Sequence, residues 1–325
     1  MTNSPIQPKE SSVKIDTTTD VNLILLGRDI WKAKFKILSF VIVVALTAIH
    51  VAKLLPNTYK AEALLMPNTA SGASQAGGLG QLGGLASLAG VKLGGGNNDK
   101  IELALSVLKS KKFLFSFIEE NNLTVLLMAV DGWDRETETF SYKNKIYDSN
   151  KKIWIREVNP PFGPEPDLSE VYDVVLNENL TIEQDKDNEF VKVGFVHYSP
   201  ILAKQLTDKL ILKLNQTIKN REFEEAELNI QYLTRQIEST RLSGMRTMFY
   251  ELIEEHQKTK MLAKVRKDYV FTTIDPAIVP LEKNGPNRKL IVLVSVFIAV
   301  FLGVASVILI HINRKIWSID SRKQQ

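Results

Sequence analysis

The chain contains no cysteine. That excludes a disulfide framework, a thiol nucleophile and any cysteine-ligated metal. Histidine is scarce too: His50, His197, His256 and His311 are scattered and have no carboxylates at ligand spacing, so no metal centre is expected. Proline is missing between Pro200 and Pro276, which leaves that stretch free to run as helix. There is little excess of either charge, with 41 Lys and Arg against 37 Asp and Glu, a net of +4. Most of the surplus flanks two apolar runs, so it reads as membrane topology rather than nucleic-acid binding. Motifs for nucleotide and ester chemistry are also lacking. No G-x-x-x-x-G-K-[ST] occurs, Gly94-Gly95-Gly96 lacks that loop's spacing, and there is no G-x-S-x-G elbow. The pairs Glu224-Glu225 and Glu254-Glu255 fall in helical sequence and read as a solvated face. Neither catalysis nor a cofactor is expected.

What the chain does have is two long apolar runs, one near each end. Leu290–Ile312 carries no charge and as a helix spans about 34 Å, enough for a hydrocarbon core of roughly 30 Å. Ile37–Leu55 spans about 28 Å; it carries His50 and Lys53 near one end, and Lys53 can snorkel to the interface. The polar, basic residues before it are long for a signal peptide, and no small-x-small cleavage site follows. Arg28, Lys32, Lys34 and Lys36 precede the first run, and Arg314, Lys315, Arg322 and Lys323 follow the second. Both tails are therefore expected on the cytoplasmic side of a membrane, with the intervening domain on the other side. Lys283, Arg288 and Lys289 lie on the other side, within a long translocated domain where charge counts for little. Trp31 and Trp317 fit the cytoplasmic interface.

The predicted organisation has a cytoplasmic tail at 1–36, a transmembrane helix at 37–55 and a membrane-proximal α/β base at 56–198. A long helical protrusion at 199–270 and an extended return at 271–289 follow, then a transmembrane helix at 290–312 and a tail at 313–325. Tyr59–Met66 partly alternates and stops at Pro67, as a strand does. The Gly-rich stretch 71–97 reads as a mobile loop, although Leu79, Leu82, Leu85, Leu88 and Val91 recur every third residue. Asp99 and Glu102 predict a capping box for a helix ending at Asn121-Asn122. Lys152–Arg156 reads as a short strand, and Asn179–Gln184 with Glu189–Tyr198 as a hairpin. Ser199 then Pro200 is a helix start, after which Leu202, Leu206, Leu210, Leu214 and Ile218 recur every fourth residue. Unbroken to Tyr269 such a helix would be about 105 Å long; Ser243-Gly244 is the one plausible break. Pro276 and Pro280 forbid helix and suit an edge strand.

These residues in this order resemble the bacterial chain-length determinant, or polysaccharide co-polymerase, family (Wzz). The similarity runs through Trp31–Met66, the Gly/Leu-rich stretch, Leu105–Ser110 and His197-Tyr198-Ser199-Pro200. It continues through Thr273-Ile274-Asp275-Pro276-Ala277-Ile278-Val279-Pro280 and Pro286 into the last apolar run, so it spans about Val21 to Lys315. The resemblance implies an α+β protein: two transmembrane helices flank a periplasmic domain with a membrane-proximal α/β base and a very long protruding helix. It implies a non-enzymatic homo-oligomer, a ring or bell, that sets surface polysaccharide length. The implied partners are a membrane polymerase, the nascent lipid-linked polysaccharide and the bilayer. It also implies, with no Walker motif and a short C-terminal tail, the branch without a kinase domain.

The candidate functional residues are Pro276, Pro280, Pro286, Gly303, Ser199 and Pro200. The prolines are expected to set the entry angle of the second membrane helix. Gly303 is the only glycine in that run, which makes close small-residue packing of the two membrane helices less assured. The Leu202–Ile218 stripe is expected to be buried between subunits. Rival readings are an export adaptor, a two-span envelope sensor and a membrane-anchored hydrolase. The sensor would need a larger cytoplasmic output module, and the hydrolase lacks a nucleophile.

Overall fold

The structure, a computed structural model, describes residues 23–68, 97–185 and 188–320. The chain forms two compact units, one holding the apolar helices near its ends and the other comprising Leu55–Pro286. In the first unit, helices α1 (Leu23–Leu54) and α8 (Arg288–Asp320) pack along each other. Within them Trp31–Leu54 and Arg288–Ile310 are long and apolar enough to cross a membrane. Small buried residues, Ala48, Ala52 and Ala299, lie where the helices meet. Gly303 belongs to the same seam: a Cβ there would lie 3.0 Å from Ile37 Cγ2. Close packing is thus present despite the single glycine.

The second unit is built on a four-stranded antiparallel sheet of β1 (Tyr59–Pro67), β6 (Leu180–Gln184), β7 (Val191–His197) and β8 (Phe271–Asp275). The strand order is β6-β7-β1-β8. The alternation in β1 buries Ala61, Ala63 and Leu65 on one face, as a half-buried strand requires. Its register with β7 runs from Tyr59–His197 to Leu65–Val191. Gly194 is needed in β7 because a Cβ would meet Thr181 Oγ1 at 2.7 Å and the Ala61 carbonyl oxygen at 2.9 Å. β8 takes the edge, where the prolines after it cost no ladder bond.

Helices α2 (Asn97–Lys109), α3 (Lys111–Glu120), α4 (Leu123–Met128) and α5 (Leu168–Val174) cover the sheet together with the long helix α6 (Pro200–Ser239). The single helix expected from Asp99 to Glu120 is two. Ser110 breaks it: its hydroxyl accepts from the Phe113 N–H and donates to the Val107 carbonyl. The backbone is already helical at Asn97, two residues before the expected cap. Short hairpins β2 (Val130–Trp133) with β3 (Phe140–Tyr142), and β4 (Tyr147–Asp148) with β5 (Ile153–Trp154), fill the stretch that reads as irregular in the sequence.

The 199–270 segment is a hairpin of two helices, not one continuous rod. Helix α6 has 40 residues, and α7 (Ser243–Val265) returns antiparallel beside it. Thr240 and Leu242 take extended backbone angles, which end the helix without glycine or proline. Ser243-Gly244, the expected break, instead opens α7. Buried Ala226 and Ala263 let the pair approach, and Lys260 bonds Glu227 across it at 3.0 Å. The Gly-rich stretch from 71 lies outside the described residues up to Asn97.

Candidate functional site

The root of the long hairpin is organised by His197, Ser199 and Pro200. Ser199 caps α6 by accepting from the Leu202 N–H at 3.3 Å, and Pro200 sits in the first turn, where its missing N–H has no partner to lose. His197, 3 % exposed, ends β7 directly beneath. Its Nδ1 accepts the Ser199 N–H at 3.1 Å, and Nε2 lies 3.0 Å from the Leu126 carbonyl. That pairing requires the neutral tautomer with hydrogen on Nε2. Burial pushes the His197 pKa below the usual histidine value.

Further along α6, two buried polar side chains fasten the helix to the sheet. Thr207 donates to the Ala61 carbonyl at 3.0 Å. Asn215, 4 % exposed, accepts from the Val270 and Phe271 N–H groups at 2.9 and 3.0 Å and donates to the Phe271 carbonyl at 3.0 Å. Sequence reasoning misses both anchors. The available signal is a polar residue inside the apolar stripe, since Asn215 lies four positions after Ile211 and three before Ile218.

That stripe is corrected as an intersubunit surface. Leu206, Leu210, Leu214 and Ile218 are buried in the chain's own core against the sheet, so no second copy can bury them. The apolar residues that the hairpin does expose are others, among them Leu228, Tyr232, Leu242, Met261 and Val265. Glu224, Glu225, Glu254 and Glu255 are exposed.

The return segment has its own geometry. Ala277 is buried, whereas Pro276, Ile278 and Leu281 are exposed and Pro280 and Pro286 are half-buried. The segment closes on the start of the domain. Thr58 N–H donates to the Gly285 carbonyl at 3.0 Å, and its carbonyl accepts from Asn284 N–H at 2.8 Å. Ser199 and Pro200 therefore form one locus, the prolines mark another, and Gly303 belongs to the helix pair.

A groove of about 460 Å³ between α3 and α6 is lined by Glu120, Asn121, Lys209 and Lys213 among others. Its polar groups are engaged within the groove: Lys213 pairs with Glu120, and Lys209 donates to the Asn121 side-chain oxygen at 2.9 Å. No group of three or more metal-ligating side chains occurs among the described residues.

Residues 19–121 match the family model Wzz, chain length determinant protein. The match covers about a third of the chain. The matched segment takes in α1, the inner strand β1 and helices α2 and α3 to the Asn121 cap. It thus joins an apolar helix directly to the middle of the sheet. No curated protein matches the chain. Two solved structures align with it at low similarity. One, a full-length bacterial polysaccharide co-polymerase, is 12 % identical and has a TM-score of 0.36, with 91 % of this chain and 98 % of that one covered. The other is a fragment of WzzB, the polysaccharide co-polymerase from Salmonella Typhimurium. It is 15 % identical and has a TM-score of 0.31, with 70 % and 100 % covered.

Proposed function

We propose that this protein is a non-catalytic regulator of surface polysaccharide chain length. It acts with a membrane polymerase on a nascent lipid-linked polysaccharide of the O-antigen kind. The observation that carries the reading is the Wzz match, placed on an apolar helix and the strand at the centre of a domain that returns to a second apolar helix. In this reading α1 and α8 cross the bacterial inner membrane, both tails are cytoplasmic and the domain is periplasmic. The basic residues beside each run support that orientation.

The working form is a homo-oligomer in this reading. The exposed apolar residues of the hairpin, and not the Leu206–Ile218 stripe, supply the contact between copies. The polar groups at the hairpin root bond to backbone and hold structure, as scaffolding requires. The test is to delete the gene and separate surface polysaccharide on a gel. A lost or shifted modal length is expected, restored by the intact gene. An unchanged distribution sinks the proposal.

A further inference from the structure

Both ends of the sheet domain leave it at one place, because Thr58 and Gly285 are bonded backbone to backbone. From that place a run of aromatic rings leads outward. Tyr59 meets Trp133 at 6.5 Å, and beyond β2–β3 Tyr142 meets Tyr147 at 5.7 Å and Tyr147 meets Trp154 at 5.0 Å. The segment after Tyr147 reverses the usual alternation of a half-buried strand. Trp154 packs inward on Tyr147. Arg156 also turns inward, to Glu170 at 2.6 Å and to the carbonyls of Gly163 and Pro164 at 3.0 and 2.8 Å. The residues that alternate with them are exposed and apolar: Ile153 is 47 % exposed and Ile155 44 %. Val158 and Phe162 continue the patch at 37 % and 51 %. Four exposed apolar side chains within ten positions of one segment are a candidate interaction surface.

The patch is rimmed with cations. Lys143, Lys145, Lys151 and Lys152 are exposed beside it. Lys151 lies 3.8 Å from Asp148 and Lys143 donates to the Met128 carbonyl, so Lys145 and Lys152 contribute most to its outward charge. Glu157 is the opposing exposed charge within it. Aliphatic side chains with a basic rim match an anionic bilayer, where apolar groups enter the acyl boundary and amines meet headgroup phosphates. A hydrated polysaccharide offers no surface for isoleucine and valine to bury.

We propose that residues 143–162 seat the domain on an anionic phospholipid surface, with Ile153, Ile155, Val158 and Phe162 in the interface and Lys145 and Lys152 at the headgroups. This rests on the reading that α1 and α8 cross that bilayer, since it requires the shared exit of the domain to lie beside the membrane.

The lack of native cysteine makes the test direct. Single variants Ile155→Cys, Phe162→Cys, Gln257→Cys and Leu302→Cys of the full chain carry a fluorophore and are reconstituted in phosphatidylethanolamine–phosphatidylglycerol vesicles. Labels at Ile155 and Phe162 should be shielded from a neutral aqueous quencher and quenched by brominated lipid, while Gln257 on α7 stays open to water. Lys145→Gln and Lys152→Gln should each lower the ratio of shielded to open label about 5-fold. If Leu302 meets brominated lipid but Ile155 and Phe162 behave like Gln257, the proposal falls and the membrane helices stand. If Leu302 does not meet lipid, both fall. Shielding produced in detergent by added anionic polysaccharide, with none from the vesicles, would assign the patch to polymer and overturn the proposal.

Discussion

Asn215→Ala removes the clamp between the long helix and the returning strand. The side chain makes three hydrogen bonds to the backbone at Val270 and Phe271. Each is worth roughly 1 kcal/mol net, and a buried group left without a partner costs about 1–3 kcal/mol. Asn215 is 4 % exposed, so water reaches the abandoned groups poorly. The expected loss is therefore about 3–5 kcal/mol. For a domain this size each kcal/mol moves the midpoint by roughly 2–4 °C, so the melting temperature should fall by about 6–20 °C. The assay is thermal unfolding of the full chain in mild detergent, with hydrogen exchange at Val270 and Phe271 as the local readout. Asn220→Ala is the control, because Asn220 is exposed on the same helix. A midpoint within the control's scatter and unchanged exchange at those two amides would refute the clamp.

The remaining predictions are smaller. His197 is held neutral by burial, so its folded-state pKa lies below the unfolded value near 6.5. The unfolded chain takes up a proton first as pH falls, so stability is full above about pH 6.5 and declines below it. His197→Leu should lower the melting temperature at neutral pH and flatten that acid decline in a pH series; an unaltered slope would show that another group is responsible. Gly303→Leu should force α1 and α8 apart at Ile37 and cost about 1–3 kcal/mol, recovered in part by Ile37→Ala; additive losses in the double variant would exclude the contact. Pro276→Ala with Pro280→Ala, or Pro286→Ala alone, should change the polysaccharide length distribution while the melting temperature holds. A normal distribution removes their role in setting the exit of the second helix.

The strands are the most legible part of the chain. β1 alternates through Ala61, Ala63 and Leu65, and Pro276 with Pro280 marks β8 as an edge. The Ser199–Pro200 start is legible because cap and first turn are specified locally. The turn at Thr240–Leu242 is not. Apolar residues continue at helical spacing on both sides of it, and extended backbone at a threonine leaves no compositional trace. The inward face of α6 is visible as a stripe, but the stripe does not name its neighbour. Periodicity shows that a face is buried; of the strands that cover it, β1 lies more than a hundred positions away and β8 some thirty to seventy, separations that no local pattern encodes. Arg156 is hidden for a related reason: its partner Glu170 is fixed by the fold of the intervening loop.

The Thr58–Gly285 contact has a thermodynamic side. The two associated membrane helices continue along the chain into the two sides of that contact, so their pairing acts on the unfolded chain much as a cross-link does. It closes a loop of roughly 230 residues, and on the chain-entropy model for cross-links that closure is worth about 5 kcal/mol. The domain's stability thus depends on helices that contribute nothing to its core. Residues 55–286 expressed alone should fold more weakly than their buried surface suggests, and a short covalent bridge across their ends should return much of the difference.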